Sequence, residues 1–499
     1  MMLVLGLCAA AGPLGCGNPV IIIPDAGLQA AIREALNKPA GDIYASELAW
    51  LGELDATARG IQDLQGLEYC TNLEVLGLWD NQISDLSPLA KLTRLTWLTL
   101  AENQISDLSP LASLTKLTQL SLAANQITDI SPLANLTNLT TLRLEENQIG
   151  DISLLASLTG LTELGLGDNQ INDISPLANL TNLTVLGLWA NEISNMFPLI
   201  SLTNLTGLDL SSNQISNTSP LANLTNLAVL SLAANQVTDI SSLTNLTGLT
   251  WLGLEYNQIS DISPLANLTS LTWLGLWTNE ISNIFFLTNL TNLTWLTLGD
   301  NQIIDISPLA NLASLETLSL SENQISDIST LADLTGLTWL GLGDNQIIDI
   351  SPLANLASLA NLSIWTNQLN DISPLANLIK LKTLSLEENQ ISDISALSDL
   401  TDLRVIWLDS NNITDISPLS GLIKIGEVEE DSWLDEREGV EVCLGLRDNQ
   451  IAAIEALLGN VGLSEGDGID LRGNPLSTES LSTYLPQLEE RGMNVLYDT

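Results

Sequence analysis

The sequence predicts an α/β solenoid, in which one short strand and one tight turn repeat and stack along an axis. Two observations support this fold class. An asparagine in the pattern L-x-L-x-x-N-x-[IVL] recurs every 22 residues, and leucines and isoleucines occupy fixed places around it. Such units bury their apolar residues only by stacking. We therefore expect a right-handed superhelix with a parallel β-sheet on its concave face and 3₁₀ or irregular turns on its convex face.

The repeat continues through sixteen copies without an insertion or a deletion. The recurring asparagines are Asn81, Asn103, Asn125, Asn147, Asn169, Asn191, Asn213, Asn235, Asn257, Asn279, Asn301, Asn323, Asn345, Asn367, Asn389 and Asn411. The pattern frays at both ends, as terminal repeats do when they present a polar outer face. We place the repeat array at residues 54–475, with an acidic insertion at about residues 423–440.

One repeat near the middle of the array shows how each part is expected to fold. Leu252 and Leu254 alternate with other residues, which is the period of a strand with one buried face. Asn257 follows, where its amide can satisfy backbone groups of its own turn and of the neighbouring turn. Ser263 fits an N-cap, and Pro264 fits the first position of a helical turn. The turn is short, so we expect 3₁₀ rather than α-helical geometry.

The consensus L-x-x-L-x-L-x-x-N-x-I at this period resembles the leucine-rich repeat. The return segments SDLSPLAKLTRL and TDISPLANLTNL resemble the bacterial internalin type of that family. The resemblance implies a linker and helical N-terminal cap at residues 17–53, where PDAGLQAAIREALNK begins at the N-cap Asp25. It also implies a C-terminal cap with one helix at residues 476–499. The adhesion role of internalins does not follow from the fold alone.

The N-terminal segment MMLVLGLCAAAGPLGCGNPV is typical of an export signal, because an apolar run ends in small residues. The run is too short to span a bilayer. Its GPLGC ending resembles the lipobox of bacterial lipoproteins, in which Cys16 is acylated. We predict a signal peptide at residues 1–16 and an extracellular protein, either lipid-anchored at the cell surface or secreted. A retained cytoplasmic segment is the remaining alternative.

The composition excludes two classes of partner. The formal net charge is −44, there is no histidine, and all fifteen lysines and arginines lie outside residues 144–379. Nucleic-acid binding needs basic residues that release phosphate counterions, so it is excluded. An anionic membrane surface would repel the chain, which leaves a lipid anchor as the only membrane attachment we expect.

The sequence carries no motif for catalysis. There is no G-x-S-x-G, P-loop or C-x-x-C pattern, and no histidine is available as a base or a ligand. Glu387 and Glu388 are adjacent carboxylates on a surface where nothing separates their pKa values, so glycoside hydrolysis is not expected. We predict a non-catalytic protein without a cofactor.

Ten of the twelve tryptophans occupy positions that project from the sheet face, six, four or two residues before the recurring asparagine. The leucine core does not need these rings, so we predict a ligand-binding concave face. Its residues are Trp97, Trp189, Trp251, Glu255, Tyr256, Trp273, Trp277, Trp295, Trp339, Trp365 and Trp407. Trp251, Trp273 and Trp295 should form a ladder of neighbouring indoles. The alternative is structural, because cross-strand ring pairs also stiffen a sheet.

A column of acids lies four residues after each recurring asparagine. Thirteen of sixteen positions are Asp, and the exceptions are Asn195, Asn217 and Asn283. A row of carboxylates is one way to bind calcium. Asn keeps the acceptor of an Asx turn but loses the charge, so these exceptions favour a structural turn over a metal site.

Two functions remain open for the concave face. The first is recognition of a protein, which the dense acid suggests is basic, or of a polysaccharide, whose sugar rings would stack on tryptophan. The second is a structural surface layer, in which chains pack through the same tryptophans. An intracellular repeat scaffold is a weaker alternative. The acidic insertion carries Trp433, and we expect a solvated loop there, with a clamp over the face as the alternative.

Overall fold

Each 22-residue repeat folds into one coil, made of a three-residue strand, a turn at the recurring asparagine and a short 3₁₀ helix. The computed structural model describes residues 18–427, 435–437 and 440–498. Its coils fall into two units that divide after Leu205, called unit 1 and unit 2. The predicted leucine-rich repeat fold, with 3₁₀ rather than α-helical turns, is confirmed within each unit.

Unit 1 begins with a helical cap and continues into parallel strands. The helices are α1 (Ala26–Ala35) and α2 (Ala45–Leu48). The strands are β1 (Glu53–Asp55), β2 (Val75–Gly77), β3 (Trp97–Thr99), β4 (Gln119–Ser121), β5 (Thr141–Arg143), β6 (Glu163–Gly165) and β7 (Val185–Gly187). The 3₁₀ helices are Leu67–Tyr69, Ser87–Lys91, Ser109–Ser113, Ser131–Asn135, Ser153–Ser157, Ser175–Asn179 and Phe197–Ser201. Successive strands pair in parallel, and residues 22 positions apart stand side by side.

Unit 2 continues the same architecture. Its strands are β8 (Gly207–Asp209), β9 (Val229–Ser231), β10 (Trp251–Gly253), β11 (Trp273–Gly275), β12 (Trp295–Thr297), β13 (Thr317–Ser319), β14 (Trp339–Gly341), β15 (Asn361–Ser363), β16 (Thr383–Ser385), β17 (Val405–Trp407), β18 (Asp435–Arg437), β19 (Val440–Gly445), β20 (Gly468–Asp470) and β21 (Asn494–Leu496). The 3₁₀ helices are Ser219–Asn223, Ser241–Leu243, Ser263–Leu265, Phe285–Leu287, Ser307–Asn311, Ser329–Asp333, Ser351–Asn355, Ser373–Asn377, Ser395–Leu397 and Ser417–Gly421. Near the C-terminus lie α3 (Glu455–Gly459), a π-helical turn (Ser480–Tyr484) and α4 (Leu485–Glu490). No helix within the described ranges has the length and apolar character needed to cross a membrane.

Both ends of the array are capped. In unit 1, Asp25 Oδ1 accepts a hydrogen bond of 3.0 Å from the backbone N–H of Leu28, which confirms the predicted N-cap of α1. In unit 2, α4 is followed by β21, which pairs in parallel with β20. The sequence predicted a helix in this C-terminal cap but not the strand that follows it.

The acidic insertion is not a loop along its whole length. β18 pairs antiparallel with β19, so the chain forms a hairpin on the edge of the regular strands there. A solvated loop was expected throughout the insertion, and that expectation is wrong for residues 435–437. Trp433 lies outside the described residues, as do Cys16 and the rest of the predicted signal peptide.

The recurring asparagines join each coil to the one before it. The side-chain amide of Asn257 donates to the carbonyls of Leu254 (3.1 Å) and Glu255 (3.2 Å) in its own turn and to Leu232 (2.9 Å) in the preceding coil. Its Oδ1 accepts from the N–H of Val237 at 2.9 Å. Nearly every polar atom of this buried side chain is therefore paired with backbone, as predicted from the sequence.

The acidic column caps the 3₁₀ helices. Asp349 Oδ1 accepts from the backbone N–H of Ser351 at 2.8 Å, and Asp349 Oδ2 accepts from the Ser351 hydroxyl at 3.0 Å. Asn195, Asn217 and Asn283 accept the same backbone bond. Among the described residues no three His, Cys, Asp or Glu side chains are grouped to hold a metal ion. The Asx turn predicted for this column is confirmed.

One detail of the turn was predicted wrongly. Ser263 was expected to cap the 3₁₀ helix with its hydroxyl, but this hydroxyl donates to Asp261 Oδ2 at 3.0 Å. The backbone N–H of Ser263 donates to Asp261 Oδ1 at 2.8 Å. The carboxylate two residues earlier is the capping acceptor, because its two oxygens reach both donors at once.

Candidate ligand-binding face

The residues that alternate with the core leucines form the exposed face of the sheet, called here the sheet face. In unit 2 the flanking leucines of each strand are fully buried, whereas Trp251, Trp273 and Trp339 are partly exposed and Trp295 is 42% exposed. Successive side chains of a strand point to opposite faces of the sheet, so these rings point away from the leucine core. The rings are thus available to a ligand.

Two of the three indoles in the predicted ladder stack on each other. The ring centroids of Trp251 and Trp273 are 4.3 Å apart, and their planes differ by 11°. This close parallel arrangement follows from the register, in which the two residues are partners on adjacent strands. Trp295 is the partner of Trp273 on β12, and its ring borders a cavity on the other side. The ladder therefore combines a stacked pair with a third ring that faces open space.

Glycines provide the floor on which the indoles lie. A Cβ added to Gly341 would be 2.6 Å from Trp339 Cη2, and one added to Gly299 would be 2.5 Å from Trp277 Cζ3. Real Cβ atoms do not approach ring carbons this closely, so the rings pack directly over glycine backbone. The benzene part of each of these two indoles therefore lies against glycine backbone rather than against a side chain. Glycine at these two positions is therefore needed for the rings to lie where they do.

Two carboxylates occupy equivalent places on the two units. Glu255 lies two residues before Asn257 and reaches over Gly275, and Glu145 lies two residues before Asn147 and reaches over Gly165. Burial raises the pKa of Glu255, and hydrogen bonds from backbone N–H groups lower it by less. Burial likewise raises the pKa of Glu145. A glycine at the facing position thus admits a carboxylate into a partly dehydrated place.

A cavity of about 780 Å³ opens on the sheet face of unit 2, and it is called here the indole cavity. Five of the predicted ligand-binding residues border it, namely Trp277, Trp295, Trp339, Trp365 and Trp407. Between the rings lie Thr297, Thr317, Ser319, Ala360, Asn361, Leu362, Ser363, Lys382, Thr383, Ser385, Glu387 and Arg404. Ligand sites of several hundred cubic ångströms commonly combine aromatic walls with a few polar groups, and this cavity has that character.

Two hydroxyl groups in the lining have no hydrogen-bond partner within the protein. These are Thr297 Oγ1 and Ser319 Oγ, and Ser319 is only 2% exposed. A buried hydroxyl without a partner is costly, and such groups in a native fold call for an explanation. In contrast, the Ser385 hydroxyl is paired with Glu387 at the other end of the lining.

Trp407 is held in place by a hydrogen bond to a neighbouring strand. Its indole N–H donates to the carbonyl of Val442 on β19 at 3.1 Å. The indole nitrogen is therefore bonded to the sheet, and Trp407 also lines the cavity. Tyr256 stands at the opposite extreme, because it is 59% exposed on a turn with a left-handed φ of 55°.

The predicted residues of unit 1 lie on a different kind of surface. Trp97 borders two smaller grooves of about 400 and 370 Å³, whose linings include Glu53, Asp55, Arg143 and Glu163. Trp189 packs over Gly167 and is partly exposed. The structure therefore brings five of the predicted tryptophans together in unit 2 and leaves those of unit 1 apart from one another within polar surroundings.

Sequence comparison places this repeat in a known family. A family model of leucine-rich repeats, described as two copies of the repeat, matches more than half of the chain. The matched residues are 93–135, 137–179, 159–201, 181–223, 203–245, 291–333, 335–377 and 379–421. The crystal structure of the internalin InlF from Listeria monocytogenes is 42% identical, with a TM-score of 0.58, over 68% of this chain and 95% of that one. The chain belongs to the internalin-type leucine-rich repeat proteins.

More distant structures share the fold of this internalin-type protein. The functional domain of InlJ from Listeria monocytogenes is 24% identical and covers 79% of this chain and 80% of its own, with a TM-score of 0.63. A leucine-rich repeat protein of Leptospira interrogans is 22% identical and covers 83% of this chain and 99% of its own, also with a TM-score of 0.63. No curated protein matches the sequence.

Sequence reasoning missed part of the cavity of this internalin-type chain. Lys382 and Arg404 border it from the position seven residues before the recurring asparagine, which was not counted among the projecting positions. Thr297 and Ser319 lie four residues before a recurring asparagine, which is one of the projecting positions, but only the tryptophans at such positions were predicted to bind a ligand. A tally of every residue type at each projecting position would have revealed the run of Ser and Thr around the rings.

Proposed function

We propose that this chain is a non-catalytic extracellular recognition protein that binds a protein ligand through the sheet face of unit 2. The observation that carries the proposal is the stacked pair Trp251 and Trp273, two partly exposed indoles that present a rigid apolar surface. Trp and Tyr dominate binding energy at protein interfaces because they bury large areas at a small entropic cost. Tyr256, which is 59% exposed, adds to this surface.

The charge of the chain favours a basic ligand. The formal net charge is −44, and Asp300 and Asp344, each one residue before a recurring asparagine of unit 2, are exposed. Such a field accelerates association with a positively charged partner and suppresses binding of acidic ones. The partner we propose is therefore a basic protein, whose association rate falls as salt is added.

The location outside the cell is part of the proposal. It rests on the export-type N-terminal segment and on the likeness to internalins. Acylation of Cys16 would anchor the protein to a membrane, and plain secretion would release it. Labelling of cells with a radioactive fatty acid, beside a Cys16→Ser variant, distinguishes these two routes.

The test of ligand binding uses the chain from Gly17 onward. Its affinity for a panel of purified basic and acidic surface proteins is measured beside a Trp251→Ala/Trp273→Ala variant. The control is Trp50→Ala, because Trp50 is 85% exposed and lies outside the sheet. We expect the double variant to lose at least tenfold in affinity for a basic protein while the control retains it. Equal binding by the double variant, with its fold intact, would refute the role of the stacked pair.

A further inference from the structure

We infer that the indole cavity of unit 2 is a saccharide-binding subsite. The inference goes beyond the proposed protein ligand and does not depend on it, because different residues carry it. The stacked pair Trp251 and Trp273 lies outside the cavity lining, whereas Trp339, Trp365 and Ser319 belong to it. Either site can therefore be removed while the other is left in place.

Two indoles of the cavity lining can stack on a sugar ring. Trp339 packs over Gly341, and Trp365 packs over Gly343, where an added Cβ would be 2.7 Å from Trp365 Cδ1. These two glycines are two residues apart on one coil, and both indoles line the same cavity. Each indole presents a π face of negative potential, which attracts the polarised C–H groups on the flat side of a sugar ring.

Two hydroxyls without partners belong to residues of the cavity lining. Thr297 and Ser319 are neighbours on adjacent strands, and neither hydroxyl finds a hydrogen bond within the protein. A sugar hydroxyl both donates and accepts, so it can satisfy a protein hydroxyl whichever way that group is turned. Ser319 is 2% exposed, so solvent does little to compensate for the missing partner.

The cavity lining combines aromatic rings, hydroxyl groups and charged side chains. A purely apolar ligand would leave the buried hydroxyls unsatisfied, and a polyanion would be repelled by a chain of net charge −44. The lining also includes the charged residues Glu387, Lys382 and Arg404, so the cavity is polar as well as aromatic. Flat rings beside closely spaced hydroxyls match a chain of sugar residues better than a peptide, whose side chains point away from its backbone in alternating directions.

The experiment measures binding of defined oligosaccharides to the folded chain from Gly17 onward. The probes are the neutral cellohexaose, chitohexaose and maltohexaose, each titrated to millimolar concentration by calorimetry and by quenching of tryptophan fluorescence, and hexagalacturonate is the polyanionic control that we expect not to bind. We expect at least one to bind, with at least a tenfold loss in Trp339→Ala/Trp365→Ala and a smaller loss in Ser319→Ala. Failure of every probe to bind the intact chain would overturn the inference.

Two further variants separate loss of the site from loss of the fold. Gly341→Ala keeps every tryptophan but displaces the Trp339 ring, and we expect it to weaken sugar binding as well. Gly187→Ala is its matched control, because an added Cβ there meets nothing closer than 3.9 Å. Trp251→Ala/Trp273→Ala should retain the sugar while losing the protein ligand. Undiminished sugar binding in both Trp339→Ala/Trp365→Ala and Gly341→Ala would also contradict the inference.

Discussion

The two units share one internal framework but differ on the sheet face. In unit 1, strands β4 to β6 present Gln119, Thr141 and Glu163 at the position where unit 2 presents Trp251, Trp273 and Trp295 on β10 to β12. The core leucines beneath them are buried alike in both units. The outward positions of a coil are thus free to vary, because the stack is held from inside and at the asparagines.

This difference shows where specificity resides in such a chain. Arg143 and Glu163 of unit 1 stand 3.9 Å apart as an exposed ion pair beside a polar groove, which contributes little to binding energy in water. The same outward positions in unit 2 hold large rings above glycines and enclose a cavity of about 780 Å³. Differences at outward positions alone therefore accompany the change from a solvated sheet to a cavity, while the fold stays the same.

The largest effect we expect comes from breaking the framework that the units share. Asn257→Ala in unit 2 and Asn147→Ala in unit 1 each remove three amide bonds and one carbonyl acceptor. Each should lower the free energy of unfolding by about 3 kcal/mol, because buried backbone groups lose their partners. Denaturation in urea measures this. The exposed Gln258→Ala serves as the control, and a clear difference between the two asparagine variants would break the equivalence of the units.

A smaller shared effect concerns the caps of the 3₁₀ helices. Asp349→Ala in unit 2 and Asp151→Ala in unit 1 should each cost about 1 kcal/mol, as loss of a capping acceptor does. Asp349→Asn should cost less, since Asn283 makes the same bond to its backbone. Thermal unfolding with and without calcium provides the check. Calcium stabilisation that vanishes in Asp349→Asn would return the column to the metal interpretation.

The framework could be predicted from the sequence almost completely, and the site only in part. The positions of Leu252, Asn257 and Asp261 follow from a strict period, because each has the same local role in every coil. Leu252 is buried, Asn257 bonds the turn, and Asp261 caps the 3₁₀ helix. The indole cavity does not follow from a period, since it depends on how far Trp339 folds over Gly341 and on which neighbours remain small. The hydroxyls of Thr297 and Ser319 were missed for the same reason: their lack of partners is a property of three-dimensional packing.

The pH dependence of stability should distinguish the two partly buried carboxylates Glu255 and Glu145. Burial raises the pKa of Glu255 above its ordinary value of 4.5, so the folded chain holds a proton that the unfolded chain releases. This side chain therefore costs stability as pH rises through and above that value, and Glu255→Gln should gain in unfolding free energy relative to the parent from about pH 4.5 upward. In unit 1 burial also raises the pKa of Glu145, a backbone hydrogen bond and the Arg143 cation lower it, and the neighbouring Glu146 carboxylate raises it.

The corresponding variant Glu145→Gln should therefore show a weaker gain over the same pH range. Unfolding free energies of both variants and the parent between pH 4 and pH 8 give the comparison. Removal of the nearby cation by Arg143→Ala should bring the behaviour of Glu145 closer to that of Glu255, because burial is then opposed by fewer favourable charges. Equal pH profiles for Glu145→Gln and Glu255→Gln would mean that Arg143 does not distinguish the units. Burial over the facing glycine would then be sufficient to explain the loss of stability that each carboxylate causes.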